Sequence, residues 1–252
     1  MASLFSWKIA SNQSFRYIQT AWGNFNHQSN STMAKKIDWT NQFFNFLGVI
    51  LGVLLAFFIN ERANSNKDRK ESLILMESLI GDLQEDVQAY ENFLIPQNKL
   101  ILQNLEKLLE LISEGDYENI DEPFSMALQV ENYGPTSATY TSTKSSGKLA
   151  LFEDLELQKL LSNYYESISE ESVKKGEYQV QYFTNELLAW LSNNMDLTSN
   201  QLYRPSDSGI LLNKLLIYSS LIDQKIVSYE ISLEKAKILK EELEKSLEEN
   251  RR

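Results

Sequence analysis

The sequence predicts an all-α protein in which one N-terminal transmembrane helix continues into a coiled-coil-like stalk and a helical bundle. Three observations support this fold class. Residues 43–59 form an uncharged apolar run, and apolar side chains follow a strict 3-4 alternation from Leu73 to Leu94. The chain also has only nine glycines and four prolines among its 252 residues. With so few turn-forming residues, long helices are favoured over a sheet laced with turns.

The apolar run from Phe43 to Ile59 is long enough to cross a bilayer, because at about 1.5 Å per residue it extends roughly 25 Å. Trp39 precedes the run and Asn60-Glu61-Arg62 follows it, which suits the headgroup level on either side. A buried core helix is the alternative. A cleaved signal peptide is disfavoured, because no small-residue cleavage site follows. The sequence predicts an interfacial or extended segment at 1–38, a transmembrane helix at 39–62 and a helical soluble domain at 63–252.

Basic residues flank the span unequally. Four follow it within about 20 residues: Arg62, Lys67, Arg69 and Lys70. Only Lys35 and Lys36 precede it within the same distance. The positive-inside rule then predicts an inner-membrane protein whose large domain is cytoplasmic. Counting Lys8 and Arg16 as well makes the two sides equal, which leaves the opposite orientation open.

Two features predict self-association. Asn45, Gly48, Gly52 and Ala56 share one face of the span, and such small-residue rows let two helix backbones approach closely in lipid. The second feature is the stalk, whose apolar row could form a coiled-coil seam between copies or pack inside a bundle. Leu75 and Leu79 widen this row, which favours a bundle of more than two helices. The residues predicted to mediate oligomerisation in the stalk are Leu73, Leu83, Val87 and Leu94.

Beyond Pro96 the sequence predicts further helices. A second segment covers about 98–113, and an irregular region, 115–148, is the place where a short hairpin could occur within 120–148. A helix over about 152–170 should direct Leu151, Leu155, Leu160 and Tyr164 inward. Another helix is expected over about 175–195. The final helix, about 209–250, has heptad-like apolar spacing and should pair antiparallel with the stalk.

Composition excludes several kinds of chemistry. The chain has no cysteine and one histidine, His27, so disulfides, thiolate nucleophiles, His-based triads and zinc sites lack their residues. A net charge of −11 disfavours extended nucleic acid as a partner. Asp82, Glu85 and Asp86 could serve acid/base or metal chemistry, but a solvated helix face explains them better. No catalytic residue, metal or cofactor is therefore expected, and the protein is predicted not to be an enzyme.

One stretch, Lys144 to Leu149, invites comparison with a phosphate-binding P-loop. The motif fails, because Ser142 stands where the first glycine is needed and Leu149 where the final hydroxyl is needed. Two lysines and several hydroxyls near a helix start remain, which is a modest anion site. The candidate anion-binding residues are Lys144, Ser146, Gly147 and Lys148. A small anionic ligand or a protein partner is expected at loop 133–148, since long loops in compact domains often carry function.

Two stretches together resemble a family of uncharacterised bacterial single-span membrane proteins. They are GVILGVLLAFFINERANSNKDRKESLILMESLIGDLQEDV and ATYTSTKSSGKLALFEDLELQKLLSNYY. Asn60-Glu61 match part of the family's Asn-rich span exit, which here lacks the tryptophan. Gly147-Lys148-Leu149 and Tyr164-Tyr165 match its soluble element, and the resemblance covers about 40–170. It implies a membrane anchor and a helical domain, and it supplies no site residues.

Two functions remain open from the sequence. The first is a membrane-anchored, homo-oligomeric, non-enzymatic scaffold, sensor or assembly subunit, with the lipid bilayer and its own copies as partners. The alternative is a pore-forming or gated membrane effector, such as an ion channel used in bacterial antiviral defence. The small-residue span and the heptads suit both, while acidic side chains repeated in a ring near a membrane would attract cations and favour the second.

Overall fold

The computed structural model describes residues 39–251, and these residues are largely helical. The all-α prediction is confirmed for them. The chain divides into two units, one ending at Phe57 and the other beginning at Phe58. The predicted interfacial segment, 1–38, lies outside the described residues.

The described part of the first unit is the beginning of helix α1, Trp39–Ala89. By length and composition this helix holds a stretch apolar enough to cross a membrane, with mean hydropathy 2.3. None of that stretch is buried within the described chain. The stretch is therefore not a core helix of this bundle, which was the alternative interpretation of its sequence.

The second unit is a bundle built from the rest of α1 and seven further helices. A π-helical turn, Tyr90–Leu94, joins α1 to α2, and short 3₁₀ or π-helical turns join several later helices. The remaining helices and the two strands of one small antiparallel hairpin are α2 (Ile95–Glu114), α3 (Asp121–Ala127), α4 (Ala138–Ser145), α5 (Leu155–Asn163), α6 (Ser169–Tyr182), α7 (Ala189–Asn194), β1 (Met195–Asp196), β2 (Gln201–Leu202) and α8 (Ser208–Arg251).

Helix α8 runs antiparallel to α1 and α2, as the heptads of the final segment predicted. Three surface ion pairs show the direction, because residue numbers rise along one helix as they fall along the other: Arg251 with Glu77, Lys237 with Glu91, and Lys99 with Glu230. The first half of α8 packs with α2, α3 and α7 in one apolar cluster. Its second half packs with α1 and α5 in another.

Pro96 lies within a continuous helical path, although the sequence suggested that the stalk helix ends there. Proline lacks the amide hydrogen of a regular helix, and its ring clashes with the carbonyl four residues earlier. The π-helical turn at Tyr90–Leu94 immediately precedes α2, in which Pro96 occupies the first turn. A wider turn of this kind lets the chain pass a proline without breaking the helix.

Two local predictions are wrong. The hairpin lies at Met195–Leu202 and not within 120–148. Its turn forms because Asp196 Oδ1 accepts hydrogen bonds from the Thr198 amide and hydroxyl, while Asn200 adopts a positive φ of 50°. Residues 120–148 instead contain α3 and α4.

The inward face of α5 also differs from the prediction, because Leu155 is 67% exposed. Asp154 caps the helix and accepts hydrogen bonds from the amides of Glu156 and Leu157, so Leu155 becomes its first residue. The buried side chains are Leu157 and Leu161, followed by Tyr164 as predicted. Leu151 and Leu160 are only partly buried.

Candidate functional site

The most distinctive site in the second unit is the irregular segment between α3 and α4, residues 128–137, here called the clamped segment. An irregular backbone lacks the regular hydrogen bonds of a helix or strand, so its polar groups need other partners. Here the partners include side chains of three helices, α1, α2 and α8, and two of these side chains are buried and ionisable. One is Asp86 of α1 and the other is Lys225 of α8, both 0% exposed.

Asp86 holds the C-terminal half of the clamped segment. Its Oδ1 accepts hydrogen bonds from the Tyr133 hydroxyl and the Thr136 amide, both at 2.9 Å. Its Oδ2 accepts one from the Tyr164 hydroxyl at 2.8 Å. Burial raises the pKa of Asp86, and these three hydrogen bonds oppose the rise because they favour the carboxylate. The carboxylate thus ties α1, the clamped segment and the turn after α5 together.

Lys225 holds the N-terminal half of the clamped segment. Its Nζ donates to Glu131 Oε1 at 3.2 Å, to the Glu131 carbonyl at 3.3 Å, and to Gln179 Oε1 on α6. Asn98 of α2 also donates to Glu131 Oε1, at 2.6 Å. Burial lowers the pKa of Lys225, while the Glu131 carboxylate counteracts this effect. One salt bridge therefore joins the clamped segment to α8, with amide side chains completing the contacts.

Aromatic rings fill the space between the two buried charges. The Tyr90 ring lies 5.4 Å from that of Tyr133, edge to face, and also 5.4 Å from that of Tyr229. Lys225 Nζ lies 5.7 Å from the centre of the Tyr229 ring, within the range of a cation–π contact. Tyr90 and Tyr229 are both 0% exposed. With Leu94 and Ile95, these two tyrosines form a third cluster of buried residues. Asp86, Lys225 and the hydrogen-bonded side chains around them are here called the clamp.

Gly176 of α6 allows the clamped segment to approach closely. A Cβ added at this glycine would lie 2.6 Å from Asn132 Oδ1 and 3.6 Å from Asn132 Cγ. Real side chains do not tolerate so short a contact, so either residue would have to move. The glycine serves this close approach rather than an unusual backbone angle.

Sequence reasoning missed both buried charges. Asp86 was assigned to a solvated face together with Asp82 and Glu85, and this assignment is wrong for Asp86. A signal was present, since Asp86 follows Leu83 by three residues and precedes Tyr90 by four, which are both buried positions. Lys225 interrupts a similar buried row on α8, three residues after Ile222. A charge on an otherwise apolar row is the pattern to look for.

The predicted oligomerisation residues fall into two groups. Asn45, Gly48, Gly52 and Ala56 are exposed in the first unit, as a partner helix would require. Those of the stalk belong to the second unit, where Leu83, Val87 and Leu94 are buried inside the bundle and Leu73 packs against its core. This arrangement matches the bundle alternative and leaves these stalk side chains little surface for a second copy.

The structure gives both lysines of the candidate anion site carboxylate partners within the chain. Lys144 pairs with Glu166, which also accepts a hydrogen bond from Tyr140, and these contacts lower the pKa of Glu166. Lys148 pairs with Glu71 at 2.5 Å. The hydroxyl of Ser146 donates to the Ser142 carbonyl, while Gly147 adopts a positive φ of 74° after α4. The acidic chain itself thus supplies a carboxylate to each of the two lysines.

One groove of the second unit lies between the α1 residues that follow the apolar stretch, the start of α5 and the end of α8. It has a volume of about 510 Å³, and six carboxylate residues line it. They are Glu61, Asp68, Glu153, Asp154, Glu242 and Glu249. Within residues 39–251, no three His, Cys, Asp or Glu side chains are grouped so that they could hold a metal ion.

A comparison with known protein families adds one finding. A family of unknown function, DUF6090, matches residues 45–195, which is more than half of the chain. The chain belongs to the DUF6090 family. No curated protein and no solved structure matches it. The match contains both stretches on which the sequence resemblance rested, so the expected membership of a family without an assigned function is confirmed.

The DUF6090 region contains most of the clamp. Asp86, Asn98, Glu131 and Gln179 all lie within residues 45–195, together with the apolar stretch of α1 after Phe44. Lys225 lies outside this region, because α8 begins after it ends. In this chain the DUF6090 region therefore receives the cation of its clamp from the following helix.

Proposed function

We propose that this protein is a membrane-anchored homo-oligomer that acts as a non-enzymatic scaffold, sensor or assembly subunit. The observation that carries the proposal is the exposed apolar stretch of α1, with small residues along one face. Gly48 and Gly52 lie on this face with Asn45 and Ala56, and a Cβ at either glycine would meet nothing within 4 Å. The face is thus open to a second helix.

The bilayer is the partner that the rest of this stretch suits. Large apolar side chains around the whole helix are exposed, including Phe43, Phe57 and Ile59 at more than half of their surface. Leaving one such side chain in water forgoes roughly 1.5–3 kcal/mol of burial free energy. Lipid would cover all of them at once. The basic residues after the span favour an inner membrane with the bundle in the cytoplasm.

Within lipid, a glycine-lined face favours association between copies. Helices in a bilayer gain little from the hydrophobic effect, so close backbone packing and interhelical hydrogen bonds drive their assembly. Gly48 and Gly52 permit the close approach, and the Asn45 amide could pair with its counterpart. The bundle that follows would then be presented in several copies, which suits a scaffold or an assembly subunit.

A sensor role would act through the clamped segment. Three helices, α1, α2 and α8, hold this segment by polar contacts, and such contacts depend on direction and protonation more than apolar packing does. A protein or small ligand that competes for Tyr133 or Thr136 would release Asp86 and shift the equilibrium between a held and a released segment. The predicted partner site at 133–148 overlaps this part of the chain.

The oligomer is tested with the full chain in detergent by size-exclusion chromatography with light scattering. Gly48→Ile with Gly52→Ile should lower the oligomer mass, since the branched side chains hold the backbones apart. Leu47→Ile with Leu54→Ile is the matched control on the opposite face, and it should leave the mass unchanged. A monomeric unmodified protein, or equal behaviour of the two double variants, would contradict the proposal.

A further inference from the structure

The outer face of α8 carries a row of isoleucines at seven-residue spacing. Ile210, Ile217, Ile231 and Ile238 occupy the row, with Gln224 at its centre. Each isoleucine is between 39% and 50% exposed, although large apolar side chains usually lie inside. From Ile210 to Ile238 the row extends about 42 Å along the helix. It is here called the outer row.

The inner face of α8 explains why the outer row is straight. Most of the buried side chains alternate by four and three residues along the helix, Ile226 and Ser228 widen this face at its centre, and Leu247 extends it at its end. The alternating residues are Leu211, Leu215, Tyr218, Ile222, Lys225, Tyr229, Ser232, Ala236, Leu239 and Leu243. A helix that keeps a seven-residue repeat against its neighbours also keeps residues seven apart in line on its other face. The outer row therefore occupies one core position of a second heptad seam, which lies on the side of α8 that residues 39–251 leave exposed.

We propose that the outer row of α8 pairs in parallel with the outer row of a second copy of this chain. Isoleucine at the first core position of the heptad, with leucine at the second, favours two-stranded parallel coiled coils, and one polar residue in the first row fixes the register. The outer row supplies the isoleucines of the first position, with Gln224 as the polar residue. In the pair every isoleucine meets its own counterpart, and the Gln224 amides meet at the centre.

The charges that flank the outer row suit the parallel arrangement. In a parallel pair, the residue immediately before a first core position is a flanking residue. If its number is i, it lies near residue i+5 of the partner helix. These pairs are Leu216 with Leu221, Asp223 with Ser228, Glu230 with Lys235, and Lys237 with Glu242. Two of these four pairs join opposite charges, whereas Glu234 and Glu241 at the second core position face their own counterparts and weaken the seam. Glu230 and Lys237 also pair within the chain, yet their side chains remain 48% and 47% exposed and open to a partner.

A groove beside the row would receive part of the partner helix. Ile168, immediately before α6, lines it together with Val227 and Ile231 of α8, and its volume is about 220 Å³. The second core position of the heptad is mostly polar, with Asn213, Ser220, Glu234 and Glu241 besides Val227. Such a seam is weak between free molecules, so a tether that raises the local concentration of the partner is needed.

This pairing rests on the proposed function, because the shared membrane supplies that tether. Two copies inserted in the same direction are related by rotation about the membrane normal. Each residue then lies at the same height as its counterpart in the other copy, whatever the tilt of the bundle. Contacts between identical residues, such as Ile217 with Ile217, are the contacts that this symmetry favours.

Disulfide cross-linking of the full chain in membranes tests the inference. The chain has no cysteine, so a single introduced cysteine reports only its own contact. Ile217→Cys and Ile231→Cys place the thiol in the outer row, where facing Cα atoms of a parallel pair suit a disulfide. Ser192→Cys is the control for random collision, at an exposed position on α7. Ala56→Cys reports association of the span.

Under a membrane-soluble oxidant, both outer-row variants should form dimers roughly 100-fold faster than Ser192→Cys, as expected for a seated partner. Dimers of Ala56→Cys alone would overturn the outer-row pairing and leave the proposed function standing. Dimers formed only when Ile217→Cys and Ile231→Cys are mixed would also overturn it, since they indicate an antiparallel contact. If all four variants cross-link only at the rate of random collision, both the pairing and the proposed oligomer are wrong.

Discussion

At the scale of single residues, the clamp depends on two buried ionisable side chains of opposite charge. Neither could be buried without partners, because an uncompensated charge in a protein interior costs several kcal/mol. Asp86 receives three hydrogen-bond donors, and Lys225 receives Glu131 and Gln179. Removing either set of partners should therefore lower the free energy of unfolding by more than the net contribution of the hydrogen bonds, because polar atoms are left buried and unpaired.

The first prediction concerns Asp86 and pH. Burial raises its native pKa above the ordinary value of 3.8, so the folded state holds this proton more tightly than the unfolded state. The stability that this proton contributes is full below pH 3.8 and is lost as pH rises through the native pKa. Asp86→Asn keeps an acceptor without the charge. The free energy of unfolding of the wild type minus that of the variant should therefore fall across this range.

Denaturant unfolding in detergent at a series of pH values measures this difference, with about 1.4 kcal/mol expected for each unit by which the native and unfolded pKa values differ. Taking the difference between the two proteins removes the contributions of carboxylates with lowered pKa, such as Glu166, which have the opposite sign. A difference that is independent of pH would show that Asp86 titrates equally in both states.

The second prediction compares a buried lysine with an exposed one. Lys225→Met should lower the free energy of unfolding by about 3–5 kcal/mol, because it leaves Glu131 partly buried without its cation. Adding Glu131→Gln should recover part of this loss. Lys99→Met removes a surface pair with Glu230 and should change stability by about 1 kcal/mol or less. Equal losses for the two lysine variants would contradict the assigned role of Lys225.

At the scale of secondary-structure elements, a glycine in α6 leaves room for one side chain of the clamped segment. Gly176 lies inside α6 and receives Asn132 of the clamped segment. Glycine normally weakens a helix by roughly 1 kcal/mol relative to alanine. At this position the weakening is offset by the close approach it permits. Gly81 of α1 is different, because a Cβ there would meet nothing within 4 Å.

The third prediction uses this contrast. Gly81→Ala should raise the free energy of unfolding by about 1 kcal/mol, since only helix propensity changes. Gly176→Ala should not raise the free energy of unfolding by this amount, because the added Cβ meets the Asn132 side chain. In the Asn132→Ala background, where that side chain is absent, Gly176→Ala should raise the free energy of unfolding by about 1 kcal/mol. The four proteins of this double-mutant cycle are compared by denaturant unfolding. Additivity within about 0.3 kcal/mol would show that Gly176 and Asn132 do not interact.

At the scale of the whole molecule, the proposed function and its alternative differ in what the membrane-spanning stretch does. A scaffold needs the stretch only as an anchor and a packing face. A gated effector needs it to open a conducting path, with acidic side chains attracting cations towards it. The carboxylates of the groove that includes Glu61 and Glu249 would serve that alternative. Measurement of ion flux separates the two functions.

The fourth prediction concerns the purified protein reconstituted in liposomes as an assembled oligomer. The rate at which entrapped ions leave these liposomes should not exceed the rate measured for protein-free liposomes. The membrane-spanning stretch has one polar side chain, Asn45, so packed copies of it would not line a hydrated path through the hydrocarbon core. A fluorescent ion indicator inside the vesicles reports the flux. Flux that disappears in the Gly48→Ile and Gly52→Ile double variant would refute the scaffold and favour the effector.

The sequence by itself determined the fold class and the pairing of the long helices. The apolar stretch and the heptads of α1 and α8 are periodic patterns, and each can be recognised within one stretch of chain. The heptads of α8 also predicted that it packs antiparallel to the stalk. These features follow from local periodicity, because a repeat of 3.5 or 3.6 residues fixes which side chains share a face.

Only the tertiary structure decided which polar residues are buried and what they bind. Asp86 meets Tyr164, 78 positions away, and Lys225 meets Glu131, 94 positions away. Lys144 and Lys148, which suggested an anion site, bind Glu166 and Glu71 of the same chain. A charge on an apolar row can indicate burial, as it does for Asp86, but it does not identify the partner. Its role depends on the free energy of desolvation and on the group placed opposite, and both are set by how distant segments pack.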